Sequence, residues 1–233
     1  MKHLKISIIG CSVALRVRPP KTIDNKNYGQ LLLEKLSNKY SDYSIQVNNK
    51  AFTRATLKDI YPKKDDVISD YPDYIIINIG IPDVSTREIP MFVSNILTYK
   101  SHYKIALLMN YMHNKIVKPN RRFFVILRGK KSWISKKQFE KLYTKLVVYI
   151  QKETNAKIII LPINLPSQRI ENILPGTTNN VIQYNETIKS ISQKFKIDLI
   201  NIDDLDQEKH YPDGIHYSTE GHDIISSKIT ELI

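Results

Sequence analysis

Three short segments carry residue types that could form a nucleophile, a base and an acid to orient it. Ser12 stands in Gly10-Cys11-Ser12 near the start of the chain, and Asp213 and His216 stand in Asp213-Gly214-Ile215-His216 near its end. Gly80-Ile81-Pro82-Asp83 lies between them. A free serine hydroxyl is a poor nucleophile at neutral pH and needs a base to take its proton. His216 is such a base. An aspartate in the same tight loop can hold the imidazole tautomer and stabilise the imidazolium that forms. Backbone N–H groups at the turn carrying Ser12 are suited to an oxyanion. Taken singly, each residue is ordinary: a serine after a strand usually caps a helix or turns the chain, and an Asp-x-x-His is usually solvated. It is their order, and their places at the ends of strands, that raise the combination above its parts.

The elements that must position them read as an alternation of strands and helices. Apolar runs predict strands at Leu4–Ile9, Tyr43–Val47, Tyr74–Ile79, Lys157–Leu161 and Ile197–Ile202. Helical periodicity falls at Tyr28–Asn38, with Asp24 or Asn25 as cap, and at Thr53–Ile60. It returns over Ile89–Met112, broken near Ser101, and over Trp133–Lys152, with Ser135 as cap and a stripe of Phe139, Leu142, Leu146 and Tyr149. Asn179–Phe195 and Ser218–Leu232 complete the helices, and Ile116–Ser132 reads as a basic surface loop. The strands are continuous apolar runs rather than half-buried alternations. That pattern predicts a parallel sheet with helices on both faces. In such sheets ligands sit outside the carboxyl ends of the strands, which is where the three segments fall.

Tyr211-Pro-Asp-Gly-Ile-His-Tyr-Ser-Thr-Glu-Gly-His222 resembles the last conserved block of the SGNH (GDSL-like) hydrolase family. Gly10-Cys11-Ser12 resembles the first block, usually Gly-Asp-Ser, and Gly80-Ile-Pro-Asp83 resembles the third, usually Gly-x-Asn-Asp. Asn49-Lys-Ala-Phe-Thr-Arg-Ala-Thr56 occupies the place of the second, and Val181-Ile-Gln-Tyr-Asn185 is similar to the helix before the last strand. The resemblance spans essentially the whole chain and implies one domain over residues 1–233. The implied fold is a flavodoxin-like three-layer α/β/α sandwich with a parallel sheet of about five strands. The implied activity is ester hydrolysis through an acyl-enzyme on a small-molecule or glycan ester, often an acetyl ester on a carbohydrate, with Ser12, His216 and Asp213 as the catalytic set and Arg54, Gly80, Asp83 and Arg87 as oxyanion or substrate contacts. An O-acyltransferase with the same triad and a non-catalytic binding protein are the alternatives. Two departures matter. Arg54 stands at the second-block glycine, where a Cβ disfavours positive φ. Pro82 stands at the third-block asparagine and offers no donor, and losing one oxyanion donor typically costs ~10²–10³ in rate. Cys11 replaces the aspartate beside the nucleophile. It reads as a small buried residue, with a nucleophilic role as the lesser reading.

Hydrophobic residues make up 42% of the chain, enough for a core, and the formal net charge is +12. Basic pairs occur at Lys63-Lys64, Arg121-Arg122, Lys130-Lys131 and Lys136-Lys137. None forms a nucleic-acid motif, so nucleic acid is not expected and the charge reads first as a solvated face, then as a surface for an anionic partner. The single cysteine excludes an internal disulfide. His210, His216 and Asp213 lack further ligands for a metal, no cofactor is expected, and His222 is expected to be structural on the last helix. No stretch approaches the ~20 apolar residues of a membrane span, and the apolar run before Cys11 is short for a secretion signal, so the cytoplasm is the expected location.

Overall fold

The isoleucine-rich runs join edge to edge in a computed structural model that describes residues 2–19, 25–99 and 103–233. They form one parallel sheet of β1 (Lys2–Gly10), β2 (Tyr43–Asn49), β3 (Tyr74–Asn78), β4 (Lys157–Ile160) and β5 (Asp198–Leu199). The spatial order is β2-β1-β3-β4-β5. Ile8 pairs with Ile76, Gly10 with Asn78, and Ile77 with Ile160. Consecutive residues Ile75, Ile76 and Ile77 are all fully buried, because both faces of the central strands are covered. That is why these runs show no polar alternation.

The helices follow in chain order: α1 (Tyr28–Lys39), α2 (Leu57–Ile60), α3 (Lys64–Ile68), α4 (Ile81–Val84), α5 (Met91–Tyr99) and α6 (Lys104–Met112). Then come α7 (Arg121–Leu127), α8 (Lys136–Glu153), α9 (Gln168–Ile173), α10 (Thr177–Phe195), α11 (Gln207–His210) and α12 (Thr219–Leu232). On one side α1 packs on α12, and on the other α8 packs with α2, α3 and α10. This is the three-layer sandwich that the alternation predicts.

Several boundaries differ from the sequence reading, each for a local reason. The cap of α1 is Asn27, whose side-chain oxygen accepts the N–H of Gly29 at 3.0 Å, while Asp24 lies outside the described residues. The helix expected from Thr53 starts only at Leu57, because Arg54 has φ 64° and Thr56 forms a capping box with Asp59. The last strand shrinks to Asp198–Leu199, an edge strand with one neighbour. The buried stripe of α8 runs through Phe139, Tyr143, Leu146, Val147 and Ile150, so Leu142 and Tyr149 turn partly outward. The break expected near Ser101 lies outside the described residues. Residues expected to form a basic loop from Ile116 instead complete a π-turn, His113–Val117, and then form α7. These helices belong to an excursion between β3 and β4. Its neck is closed by a bridge between Thr86 and Ser132 and by the Arg87 N–H donating to the Lys131 carbonyl at 3.1 Å. Among the described residues no helix is long and apolar enough to cross a membrane.

Candidate active site

The order of the sheet reverses between β1 and β3, and Ser12 follows β1 at that switch point. Gly10 ends the strand where a Cβ would stand 2.6 Å from the Asn78 carbonyl oxygen, so the close approach of β1 to β3 requires glycine. The Cys11 N–H donates to the same carbonyl at 3.2 Å, and Ser12 then opens a single 3₁₀ turn, with the Arg16 N–H returning to its carbonyl at 2.9 Å. The Ser12 N–H itself has no hydrogen-bond partner among the described residues.

The second half of the site is one turn. Asp213 Oδ1 accepts the N–H groups of Ile215 at 3.0 Å and His216 at 2.8 Å, which folds the turn around the carboxylate. Its Oδ2 lies 2.8 Å from His216 Nδ1, and His216 Nε2 lies 2.9 Å from Ser12 Oγ. With Nδ1–H donated to the carboxylate, the Nε2 lone pair faces the hydroxyl, which is the tautomer a general base needs. Burial alone would raise the Asp213 pKa, but hydrogen bonds from the His216 side chain and backbone hold the carboxyl well below the usual range. Gly214 has φ 84°, and a Cβ there would stand 2.2 Å from Ser167 Oγ. The loop after β4 clamps the turn: Asn164 Nδ2 donates to the Ile215 carbonyl at 2.8 Å and the Ser167 N–H to the Gly214 carbonyl at 3.1 Å.

Arg18 is the residue that sequence reasoning missed. Its Nε donates to Asp213 Oδ2 at 3.1 Å, and its N–H to the Tyr217 carbonyl at 2.9 Å. It comes from an irregular segment, so no periodicity marks it. The only signal is an arginine shortly after Ser12.

The other singled-out residues sort by burial. Cys11 is buried, which pushes its thiol up to about 11, so it stays protonated at neutral pH and is not a thiolate nucleophile. His222 accepts the Tyr28 N–H at Nδ1 and donates to the Arg16 carbonyl from Nε2, both at 3.1 Å, and burial brings it down to about 4. It is a neutral peg between α1 and the loop after Ser12. His210 is buried with Nε2 at 3.8 Å from Glu220. Gly80 and Asp83 follow β3 at that edge of the sheet, and both are buried. Gly80 turns the chain at φ 147°, and the wholly buried Asp83 accepts the Leu57 N–H at 2.8 Å, joining the third-block turn to α2. Arg54 and Arg87 reach one shared cavity. The Arg54 guanidinium donates to Ser94 Oγ at 3.2 Å, and the Arg87 guanidinium lies 4.2 Å from the centre of the Trp133 ring. Pro82 sits in the first turn of α4 and offers no donor.

No family model and no curated protein matches the chain. Solved structures do. Axe2, an acetylxylan esterase from Geobacillus stearothermophilus, is 18% identical with a TM-score of 0.63, over 98% of this chain and 93% of that one. A lipase/acylhydrolase from Enterococcus faecalis is 13% identical with a TM-score of 0.66, over 99% and 95%. LAE5, an alpha/beta hydrolase enzyme from the metagenome of Lake Arreo, Spain, is 17% identical with a TM-score of 0.64, over 98% and 94%. The chain therefore has the fold of an SGNH-type hydrolase. Among the Axe2 structures, two described as catalytic mutants replace a serine and a histidine with alanine.

Proposed function

We propose that this chain is a serine ester hydrolase working through an acyl-enzyme. The observation that carries the reading is the continuous hydrogen-bonded line from Ser12 Oγ through His216 to Asp213. His216 takes the Ser12 proton as the oxygen attacks the ester carbonyl, and returns it to the departing alcohol. Water then repeats the sequence against the acyl group and regenerates Ser12. Asp213 stays ionised throughout and stabilises the imidazolium. The N–H groups of Ser12 and Arg54, both without partners among the described residues, are the assigned oxyanion donors. Pro82 supplies none, so turnover is slower than with a side-chain donor at that position. Acetyl esters are the first substrates to try, because Axe2 is an acetylxylan esterase.

Hydrolysis of 4-nitrophenyl acetate tests the reading. Ser12→Ala and His216→Ala should each lower kcat by at least about 10³, and the double variant should be no worse than either alone, because the residues act as a unit. Independent, additive losses would sink it.

A further inference from the structure

A cavity of about 520 Å³ opens beside the neck of the β3–β4 excursion. Its walls hold four permanent cations (Arg54, Arg87, Lys118 and Arg121) against one carboxylate, Glu88. Glu88 is already engaged, by Arg121 at 3.0 Å and His113 at 3.4 Å. Among the described residues, Arg54, Arg87 and Lys118 form no ion pair. The Nε atoms of Arg87 and Arg121 are sealed from water and, among the described residues, have no acceptor. Burial, with Arg121 and Arg54 nearby, brings Arg87 down to about 10, which still leaves it cationic at neutral pH. Like charges gathered this way repel, and an anion shared among them would offset that repulsion.

Two further observations point the same way. A surface helix ordinarily turns its apolar stripe inward. Here Asn110 of α6, with His113 and Asn114 just beyond it, lines the cavity, while Leu108 and Met112 on the opposite face are 61% and 50% exposed. Charge is also localised. Between Glu88 and Glu140 there is no acidic residue and there are eleven Lys or Arg, against a net charge of +12 for the whole chain. Nine of the eleven lie in the excursion, which contributes Arg87, Lys118 and Arg121 to the cavity wall and gives it a positive potential.

The cavity belongs to the edge that carries Ser12. Arg54 follows β2 and Arg87 follows β3, the two strands flanking β1. The Phe52 N–H donates to the Gly10 carbonyl at 3.0 Å, fastening the Arg54 loop to the Ser12 turn. We propose that this cavity binds an oxyanionic group (carboxylate, sulfate or phosphate) carried by the ester that Ser12 attacks, so that acidic esters are selected over neutral ones. The inference rests on the esterase reading for the fate of the ester, but binding can be read without turnover.

The test is calorimetric titration of the Ser12→Ala protein with 4-acetoxybenzoate and with its neutral match, 4-acetoxybenzamide. The benzoate should bind at least about tenfold tighter, the scale of one charge-assisted hydrogen bond. The preference should shrink by at least about threefold in a Lys118→Gln or Arg87→Gln background and fall with added salt. Lys118 is exposed, so its replacement leaves the fold intact. Equal binding, tighter binding of the amide, or no measurable binding of the benzoate overturns the inference. Wild-type protein assayed on both esters separates the two claims. A binding preference without hydrolysis of either ester defeats the esterase reading and leaves the anion site standing. Hydrolysis of both without a binding preference does the reverse.

Discussion

Asp83 and Asp213 are carboxylates at the same edge of one sheet, and their surroundings push them in opposite directions. Asp213 is half-buried, but its oxygens accept three hydrogen bonds from His216 and Ile215, and Arg18 adds a cation. It stays ionised. Asp83 is wholly buried; its Oδ1 accepts the Leu57 N–H, and among the described residues its Oδ2 has no hydrogen-bond partner. Burial raises it from 3.8 to about 8. The sign of the consequence follows from which state holds the proton. Below the ordinary value both folded and unfolded chains are protonated and the group contributes nothing. As pH rises toward 8 the unfolded chain ionises first, so stability is progressively lost. Asp83→Asn keeps an acceptor for Leu57 and cannot ionise. Its urea-derived stability relative to wild type should therefore rise by at least about 1 kcal/mol between pH 5 and pH 8. A difference that is constant over that range contradicts the raised pKa. Both aspartates stand out in the sequence, but their opposite characters do not. Burial and partner count come from strands and turns far away in the chain, as Leu57 is from Asp83.

At the scale of elements, the turn Asp213–His216 depends on a glycine with no room for a side chain. Gly214 combines φ 84° with Ser167 Oγ at 2.2 Å and Ile170 Cγ1 at 2.7 Å from a would-be Cβ. Gly214→Ala should lower kcat/KM on an aryl acetate by about 10², the usual result of displacing a catalytic group by about 1 Å, with the far-UV circular dichroism of the fold retained. Activity within twofold of wild type would show that the turn tolerates the shift. The glycine is legible in the sequence, but the reason for it is not, since Ser167 and Ile170 arrive from the loop and helix after β4. Helix starts with a side-chain cap, such as Ser135 and Ser218, are readable because the capping bond is local. A helix start at Thr53 fits the sequence but not the structure, because Arg54 adopts a left-handed conformation that its residue type disfavours. The stretch after Ile116 has the composition of a basic loop yet forms α7, a helix whose apolar residues Phe123, Ile126 and Leu127 face outward and so leave no inward stripe.

Across the whole molecule, the parallel sheet and its helical layers are readable because buried parallel strands leave continuous apolar runs, whereas the order β2-β1-β3-β4-β5 leaves no mark in the sequence. The basic pairs are visible in the sequence, but the cavity beside them is not. A net charge of +12 looks like a uniform bias until the stretch between Glu88 and Glu140, with eleven Lys or Arg and no acidic residue, is set beside the cavity. The central claim, however, is the line from Ser12 to Asp213. Intact-protein mass spectrometry after treatment with a fluorophosphonate probe tests it most directly, because the probe reports an activated serine without the natural substrate. The account predicts a single adduct on wild type, none on Ser12→Ala and little on His216→Ala. An adduct that persists on Ser12→Ala, or none on wild type under conditions that label a control serine hydrolase, would contradict it.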